Sequence, residues 1–191
     1  MNGLLIIFTD VTELNELQRK LEYQAYNDEL TRIYNRRAFY QKVEATLEEA
    51  KNTPSPFTVV LIDADHFKNV NDTYGHQIGD EILVHIVETC KERLPKDILF
   101  ARYGGEEFVL AMKGYSLQES VDLANEIRDY MEQRPLITPE RILIRVTLSI
   151  GLTTLSDKNE TIYQLLQKAD KALYEAKEKG RNRVQLFVEE D

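Results

Sequence analysis

The sequence predicts an α/β fold from two patterns that recur along its 191 residues. Segments with apolar residues at the spacing of an amphipathic helix alternate with short segments rich in β-branched residues, which are typical of strands. The apolar run from Leu99 to Met112 is interrupted by Gly104-Gly105, a strong turn signal, and therefore predicts a β-hairpin. The predicted order of elements is α/β, with this hairpin inserted between helices.

The first 27 residues predict two elements that precede this pattern. Residues 3–9 predict a short buried strand, and Asp10–Glu13 has the spacing of a capping box, which starts a helix. In that helix Leu14, Leu17 and Leu21 form a seam of about two heptads. The seam fits either a helix packed on its own domain or a parallel dimer stalk that continues from an upstream domain. We favour the stalk.

From about residue 28 the chain alternates between helices and strands. Helices are predicted over residues 36–51, 79–94, 117–131 and 162–179, with a short further helix beginning near His66. Strands are predicted over residues 57–63, 141–151 and 184–188, in addition to the hairpin. One main domain of this size needs no disulfide or structural metal to bury a core.

Composition and charge exclude several classes of function. The net charge of −9 at pH 7 argues against binding to a nucleic-acid polymer, because phosphate contacts need a basic footprint. The apolar stretch Leu4–Phe8 is far shorter than the ~20 residues that span a bilayer, so this chain predicts no membrane contact. The single cysteine, Cys90, lies on an apolar helix face and predicts a core residue. With no secretory signal, the chain fits the cytoplasm, and attachment of a parent protein to a membrane stays open.

Carboxylates stand at the ends of the predicted strands. Asp63 ends the strand 57–63, Asp65 follows it, and Glu106 and Glu107 lie at the hairpin tip. A carboxylate at the end of a buried strand costs free energy unless a cation compensates it, and hard divalent cations prefer such oxygen ligands. If the hairpin lies beside the strand 57–63, these carboxylates form one metal site. The alternative is that Asp63 and Asp65 cap the short helix near His66.

The residues that follow predict a phosphorylated substrate. Asp65–Lys68 resembles a helix N-terminus, where backbone N–H groups suit an anion and Lys68 adds positive charge. Asn71 and Asp80 can accept hydrogen bonds from guanine N1–H and the 2-amino group, which adenine does not offer. The alternative is an ordinary turn at Asn71-Asp72 and a helix N-cap at Asp80.

Two basic residues near the C-terminus complete this set. Lys177 and Arg181 are one turn apart on the predicted last helix and can clamp a polyphosphate together. The alternative is that they are solvated basic residues, which the helix dipole favours at a C-terminus. The three histidines, His66, His76 and His85, share no metal-ligand spacing, so no zinc site is predicted.

Taken together, these segments resemble the GGDEF domain, the diguanylate cyclase family, over roughly residues 25–188. The matching stretches, in the family's order and spacing, are Asp28–Thr31, Asn35–Arg37, Asp63–Asp72, Tyr74–His76, Gly79-Asp80, Arg102–Phe108, Ser149–Gly151, Ala169–Lys177 and Gly180–Asn182. The preceding Phe8–Glu13 is similar to the end of a PAS sensor domain leading into its signalling helix. The resemblance thus divides the chain into a remnant sensor strand over 1–9, a signalling helix or stalk over 10–27, and a GGDEF domain over 28–191.

The resemblance implies a central, mainly antiparallel sheet flanked by helices, related to nucleotide cyclases and polymerase palms. It implies that two GTP molecules, one per subunit of a homodimer, are joined into cyclic di-GMP with release of two pyrophosphates. It also implies Mg²⁺ as cofactor, with Mn²⁺ as a substitute, and a sensor domain upstream in the parent protein. Two other outcomes stay open: a silent docking module that binds GTP or cyclic di-GMP, and a fragment that is monomeric and inactive alone.

The resemblance also assigns the catalytic and metal-binding residues. By position, Asp63, the Ala64 carbonyl and Glu106 hold the metal, and Glu107 lies near the attacking 3′-hydroxyl or serves as a further ligand. Asp63, Glu106 and Glu107 are therefore the implied catalytic set. The third motif position is Glu106 where many members have Asp, and either residue supplies a carboxylate ligand.

The implied substrate-binding set lies on both sides of the hairpin in the sequence. Asn71 and Asp80 read guanine, with His76 in the same set. The backbone around Phe67-Lys68 holds the β- and γ-phosphates, together with two side chains, Lys177 and Arg181.

One departure from the family's pattern concerns product inhibition. The family's inhibitory site is an Arg-x-x-Asp shortly before the hairpin, and the aligned positions here are Pro95 and Ile98. The nearby Arg93 and Asp97 have the wrong separation. We therefore expect weak or absent feedback binding of cyclic di-GMP at this place.

Overall fold

A computed structural model of the protein describes residues 12–189, with side chains for residue 17 and residues 19–189. The strand predicted over residues 3–9 and the cap predicted at Asp10 lie outside the described residues. The helices within the described part are α1 (Thr12–Tyr26), α2 (Arg36–Asn52), α3 (Phe67–Tyr74), α4 (His76–Lys91), α5 (Leu117–Gln133) and α6 (Ile162–Glu178). The strands are β1 (Tyr34–Asn35), β2 (Phe57–Ala64), β3 (Leu99–Gly104), β4 (Glu107–Lys113), β5 (Leu136–Ile137), β6 (Leu143–Ile144), β7 (Leu148–Thr154) and β8 (Val184–Leu186).

Six strands form the central sheet, in the order β1-β3-β4-β2-β7-β8. The three inner pairings, β3–β4, β4–β2 and β2–β7, are antiparallel, whereas the outer pairings β1–β3 and β7–β8 are parallel. The short strands β5 and β6 form a separate antiparallel ribbon. The prediction of a mainly antiparallel sheet flanked by helices is confirmed.

Helices cover both faces of the sheet, and the alternation of side chains along β2 separates the two cores. Val60 and Ile62 pack with residues of α3, α4 and α5, among them Val70, Ile82 and Ile127. The intervening residues 57, 59 and 61 pack with residues of α2 and α6 on the opposite face. Because successive side chains of a strand point to opposite faces, Asp63 belongs to the α2/α6 face.

Gly151 on β7 allows α6 to lie very close to the sheet. A Cβ atom at this position would lie 2.2 Å from the Leu173 backbone nitrogen and 2.3 Å from the Ala169 carbonyl oxygen. Any larger residue would therefore push the helix outward. This close packing sets the distance between the sheet and α6, whose last turn passes over the end of β2.

Several boundaries differ from the sequence-based predictions. Helix α4 begins at His76, before Gly79, because the turn residue is Gly75, whose φ is +84°. The single strand predicted over 141–151 is two strands, β6 and β7, which belong to different sheets. The two-residue strands β1 and β5 are too short to show any periodicity in the sequence.

The prediction that Arg181 lies on the last helix is wrong. Helix α6 ends at Glu178, and Gly180 follows with a φ of +106°. The Arg181 backbone N–H then donates to the Ala176 carbonyl oxygen at 3.0 Å, which closes the helix end. Arg181 therefore lies in the turn after the helix and not on the helix itself.

Helix α1 leads into the domain with two exposed leucines. Leu17 is 54% exposed and Leu21 is 57% exposed. The junction with the domain is fixed by Asn35, whose side-chain amide donates to the Ala25 carbonyl oxygen at 3.1 Å. The dimer stalk stays a prediction. No helix in the described part of the chain is both long and apolar enough to cross a membrane.

Candidate active site

The strand pairing brings the predicted carboxylates to one edge of the sheet. Asp63 is the register partner of Glu107 on β4 and of Ser149 on β7. The Ala64 backbone N–H donates to the Glu106 carbonyl oxygen at 3.3 Å. The prediction that the hairpin lies beside the strand that ends at Asp63, which is β2, is therefore confirmed.

Asp63 is nearly buried and lies next to a lysine. Asp63 is 7% exposed, and its Oδ2 atom lies 2.8 Å from Lys177 Nζ. Burial raises the pKa of Asp63, and the charge of Asp65 acts in the same direction, while Lys177 and Arg181 oppose the rise. The Lys177 ammonium thus provides the positive charge that a carboxylate at this place requires.

Glu106 and Glu107 are crowded by negative charge. Burial and the neighbouring Asp63 raise the pKa of both carboxyl groups, and Lys177 offsets the rise only in part. For Glu107 the charges of Asp170 and Glu106 add to the effect. Carboxylates held together against their own repulsion favour a bound cation.

The carboxylates of Asp63, Glu106 and Glu107 are of the type that binds a divalent metal, although they are not yet gathered around one point. Across residues 12–189, no three His, Cys, Asp or Glu side chains lie close enough together to form a ready-made metal site. The donors themselves are nonetheless the oxygen ligands that hard divalent cations prefer. Because a lysine ammonium already lies against Asp63 as a stand-in cation, the residues fit a divalent metal.

Asp65 has a structural role that the sequence did not indicate. Its carboxylate accepts hydrogen bonds from Thr147 Oγ1 at 2.7 Å, from Ser149 Oγ at 2.6 Å and from the Asn182 backbone N–H at 3.0 Å. It therefore fastens β7 and the turn after α6 to the end of β2. The alternative that these aspartates cap α3 is wrong, because His66 occupies the N-cap position without a side-chain cap hydrogen bond.

Arg102 anchors the hairpin and was not among the predicted site residues. Its Nε and Nη2 atoms donate to the Gly105 carbonyl oxygen at 2.9 and 2.7 Å. Its Nη1 atom lies 3.1 Å from Asp28 Oδ1, and Asp28 also accepts from the Thr31 backbone N–H and hydroxyl. The site turn is thus tied to the segment that follows α1. The signal in the sequence was an arginine two residues before the Gly104-Gly105 turn.

The predicted nucleotide-binding residues lie on α3, α4, α6 and the turn after α6. Asn71 lies half-buried inside α3 and Asp80 lies exposed inside α4, so the turn and N-cap alternatives for these residues are wrong. Phe67 is the buried first residue of α3. Of the remaining four predicted residues, Lys177 is half-buried and three are exposed: Lys68, His76 and Arg181. In the part of the chain that the structure describes, Lys177 contacts Asp63, and no hydrogen bond joins the other six residues of this set to Asp63, Glu106 or Glu107.

The residues near the expected inhibitory position are already engaged. The Arg93 guanidinium stacks 3.8 Å over the Tyr130 ring, and its Nη1 atom lies 3.1 Å from Glu126 Oε1. The Asp97 carboxylate accepts a hydrogen bond from the Tyr115 hydroxyl at 3.2 Å. The two residues therefore have separate partners.

Comparison with known protein families identifies the family to which this chain belongs. The family described as "Diguanylate cyclase, GGDEF domain" matches residues 25–183. The chain belongs to the GGDEF family. The match includes the end of β2, the hairpin and the whole of α6, so the carboxylate cluster described above lies in the GGDEF domain.

Relatives of this GGDEF chain include diguanylate cyclase DgcM of Escherichia coli strain K12. It is 38% identical over 181 residues, which are 95% of this chain and 43% of DgcM. A diguanylate cyclase of Vibrio cholerae is 31% identical over 97% of this chain and 57% of its own length. The chain thus spans about half the length of these curated relatives.

Solved structures show the same fold. The coiled coil and GGDEF domain of DgcB from Caulobacter crescentus, in complex with c-di-GMP, superposes with a TM-score of 0.87 at 29% identity, covering 92% of this chain and 93% of that one. The active GGEEF domain of a diguanylate cyclase from Vibrio cholerae gives a TM-score of 0.76 at 29% identity over 82% and 98% of the two chains. A glutamate at the third motif position is therefore found in an active relative.

Proposed function

We propose that this GGDEF domain is a diguanylate cyclase, a nucleotidyltransferase that condenses two GTP molecules into cyclic di-GMP and two pyrophosphates. The observation that carries the proposal is the placement of Asp63 in register with Glu107 and 2.8 Å from Lys177. Carboxylates that would hold a metal and an ammonium that would bind a phosphate are therefore neighbours in the fold, which supports the proposal. The family membership of the chain supports the same function.

The metal in this proposal is Mg²⁺, with Mn²⁺ as a substitute. Asp63, the Ala64 carbonyl and Glu106 would hold it, and Glu107 would be a further ligand or lie near the 3′-hydroxyl. When bound, the metal would activate the 3′-oxygen and neutralise charge on the leaving pyrophosphate. The raised pKa of Glu107 suits a residue that accepts the 3′-hydroxyl proton.

Other residues of the chain would bind the triphosphate. The first turn of α3 presents backbone N–H groups at Phe67 and Lys68, because the first N–H groups of a helix have no partner within it. Lys177 and Arg181 would add positive charge from the end of α6. In each step the 3′-oxygen of one GTP forms a bond to the α-phosphorus of the other, the α–β phosphoanhydride bond breaks, and pyrophosphate leaves.

Guanine recognition would fall to Asn71 and Asp80, with His76 in the same binding set. The amide of Asn71 can accept and donate hydrogen bonds, and the carboxylate of Asp80 can accept two. Guanine offers an N1–H and a 2-amino group as donors. Adenine offers neither donor, so these acceptors would be left unpaired against the base and adenine nucleotides would be rejected.

The proposed reaction requires a homodimer, because each subunit would bind one GTP and both 3′-hydroxyls must attack. We propose that residues 10–27 form the stalk that pairs the two subunits. In the same proposal residues 28–191 form the GGDEF domain, and residues 1–9 are a sensor remnant. The exposed Leu17 and Leu21 on α1 support pairing of two stalks. The parent protein would work in the cytoplasm under control of its upstream sensor.

One assay tests the proposal. The protein is incubated at several concentrations with GTP and Mg²⁺, and the nucleotides are separated by chromatography. We expect cyclic di-GMP and pyrophosphate from the wild type, none from Asp63→Asn or Glu106→Gln, and unchanged turnover from the exposed control Glu175→Gln. GTP that binds without conversion at all concentrations would indicate a docking module instead. A rate per molecule that rises with concentration would indicate weak dimerisation of this chain.

A further inference from the structure

Gly79 lies inside helix α4, in direct contact with Asn71 of α3. A Cβ atom added at Gly79 would lie 1.9 Å from Asn71 Oδ1, 3.0 Å from Asn71 Cγ and 3.3 Å from Phe67 Cζ. The first of these separations is far below any van der Waals contact. Asn71 can therefore hold its amide in this position only because residue 79 has no side chain.

The backbone gives no other reason for a glycine at this position. Gly79 does not have a positive φ, unlike Gly75, where the chain turns between the two helices. Its N–H donates to the Gly75 carbonyl oxygen at 3.2 Å, as in an ordinary first helical turn. Glycine inside a helix is less favourable than alanine, so alanine would be preferred here if there were room for it.

The groups around Gly79 indicate why a residue without a side chain is useful at this position. The atom in the way is the end of a flexible side chain, so the fold can tolerate a methyl group by moving the Asn71 amide. Among the described residues, no hydrogen bond holds that amide, which leaves its donors and acceptor free for a ligand. Gly79 also directly precedes Asp80, the other proposed guanine reader.

We infer that Gly79 is a positioning residue for guanine specificity. It leaves the space that the Asn71 amide occupies, and this position of the amide is the one that would bind the base together with Asp80. The inference rests on the proposed function, since it requires Asn71 to contact guanine. A methyl group at residue 79 would turn the amide away and remove its hydrogen bonds to the base, while the phosphate-binding and metal-binding residues stay in place.

The test is a double-mutant cycle of Gly79→Ala and Asn71→Ala, measured by nucleotide binding. The ligands are the 3′-deoxy forms of GTP, ITP and ATP, which lack the attacking hydroxyl and cannot cyclise. Hypoxanthine lacks only the 2-amino group of guanine, so the GTP/ITP ratio reports that contact. Gln77→Ala, an exposed change in the same helix turn, is the matched control. Melting temperatures are recorded for all variants.

We expect Gly79→Ala to weaken 3′-deoxy-GTP binding by about 10- to 100-fold and to leave 3′-deoxy-ATP binding unchanged. In the Asn71→Ala background the same change should have no further effect on GTP binding, because the displaced amide is already absent. Unchanged GTP affinity in Gly79→Ala, or effects of the two changes that simply multiply, would overturn the inference.

Two further results keep the inference distinct from the proposed function. If Gly79→Ala does not fold, a folded double variant with the GTP/ATP preference of Asn71→Ala supports the inference, and an unfolded double variant refutes it. If the wild type binds 3′-deoxy-GTP selectively but never converts GTP, the cyclase proposal fails and the positioning role stands. A wild type without preference for guanine refutes both the Asn71 assignment and the inference.

Discussion

The Lys177 ammonium lies 2.8 Å from the Asp63 carboxylate, at the point where the last turn of α6 passes over the end of β2. Asp63 is the most buried of the carboxylates in the proposed metal-binding set, so it depends most on a compensating cation. A divalent metal and Lys177 would therefore compete for the same carboxylate. Binding of a triphosphate resolves the competition if the lysine moves to the phosphate.

Removal of this lysine should strengthen metal binding in the absence of nucleotide. We expect Lys177→Met to bind Mn²⁺ about three- to tenfold more tightly, the effect of losing one partly exposed competing charge, and to turn over GTP more slowly. Titration followed by the electron paramagnetic resonance signal of free Mn²⁺ measures the affinity. Lys179→Met is the matched control, since Lys179 pairs with Glu175 on the outer side of the helix. Equal Mn²⁺ affinity in the wild type and Lys177→Met would contradict the competition.

Neutralising Glu107 should stabilise the metal-free protein while removing activity. Burial, Asp63 and the other nearby acids raise the pKa of Glu107, so the folded chain holds its proton to a higher pH than the unfolded chain. Its ionisation therefore lowers stability as the pH rises past the ordinary glutamate pKa. In EDTA at neutral pH we expect Glu107→Gln to melt on the order of 1–3 °C higher than wild type.

The pH dependence of this difference gives the sharper check. The gain from Glu107→Gln should vanish near about pH 3, where Glu107 is protonated in both the folded and the unfolded state. Calorimetry across the pH range measures it, with the exposed Glu44→Gln on α2 as control. A gain that is constant with pH would show that charge repulsion is not the cause.

Asp28 should behave in the opposite way. Burial acts against its ionisation, but hydrogen bonds from Thr31 and the Arg102 guanidinium outweigh burial and lower the pKa of Asp28. The resulting stability is present above the ordinary aspartate pKa and is lost as the pH falls through the lowered value. We expect Asp28→Asn to be less stable at neutral pH and to lose less stability than wild type on acidification.

The same variant should affect catalysis through the hairpin. Without the Asp28 carboxylate, Arg102 holds the Gly105 carbonyl less firmly, and the turn that carries Glu106 becomes less well placed. We expect kcat to fall by about three- to tenfold, with a smaller change in KM for GTP. Glu29→Gln, an exposed neighbour, is the control. A kcat equal to that of wild type would show that the Asp28–Arg102 contact serves stability alone.

Product feedback should be weak in this protein. Arg93 is occupied by Tyr130 and Glu126, and Asp97 by Tyr115, so neither is free to bind a second guanine nucleotide. We expect turnover to be insensitive to added cyclic di-GMP at concentrations that do not compete at the GTP site. Calorimetric titration of wild type and Arg93→Ala measures the product affinity. A tight complex that is lost in Arg93→Ala and Asp97→Ala would contradict this expectation.

Local periodicity predicted most of the fold. The buried stripe of α4 and the central strand β2 followed directly from apolar spacing, because each buries a regular face. The start of α4 was misplaced because Gly79 suggests a turn, whereas the structure uses it for close packing against Asn71. The two-residue strands β1 and β5 could not be predicted, since two residues show no periodicity and β1 also depends on pairing with the distant strand β3.

The candidate site was predicted in part. Asp63, Glu106 and Glu107 were recognisable because charge at the end of an apolar strand is unfavourable without a partner. The roles of Asp65 and Arg102 were not, because Asp65 bonds to residues 82 to 117 positions away and Arg102 bonds to Asp28, 74 positions away. Such pairs leave no local pattern.

By itself the sequence determined most of the secondary structure, the GGDEF family resemblance and the carboxylates at the ends of two strands, because each follows from residue types at fixed local spacing. Only the tertiary structure decided that Lys177 lies against Asp63, that Arg181 lies in a turn after α6, and that Gly79 leaves room for Asn71. These relationships depend on how β2, α3, α4 and α6 pack, and packing brings together atoms whose separation along the chain carries no information about their distance.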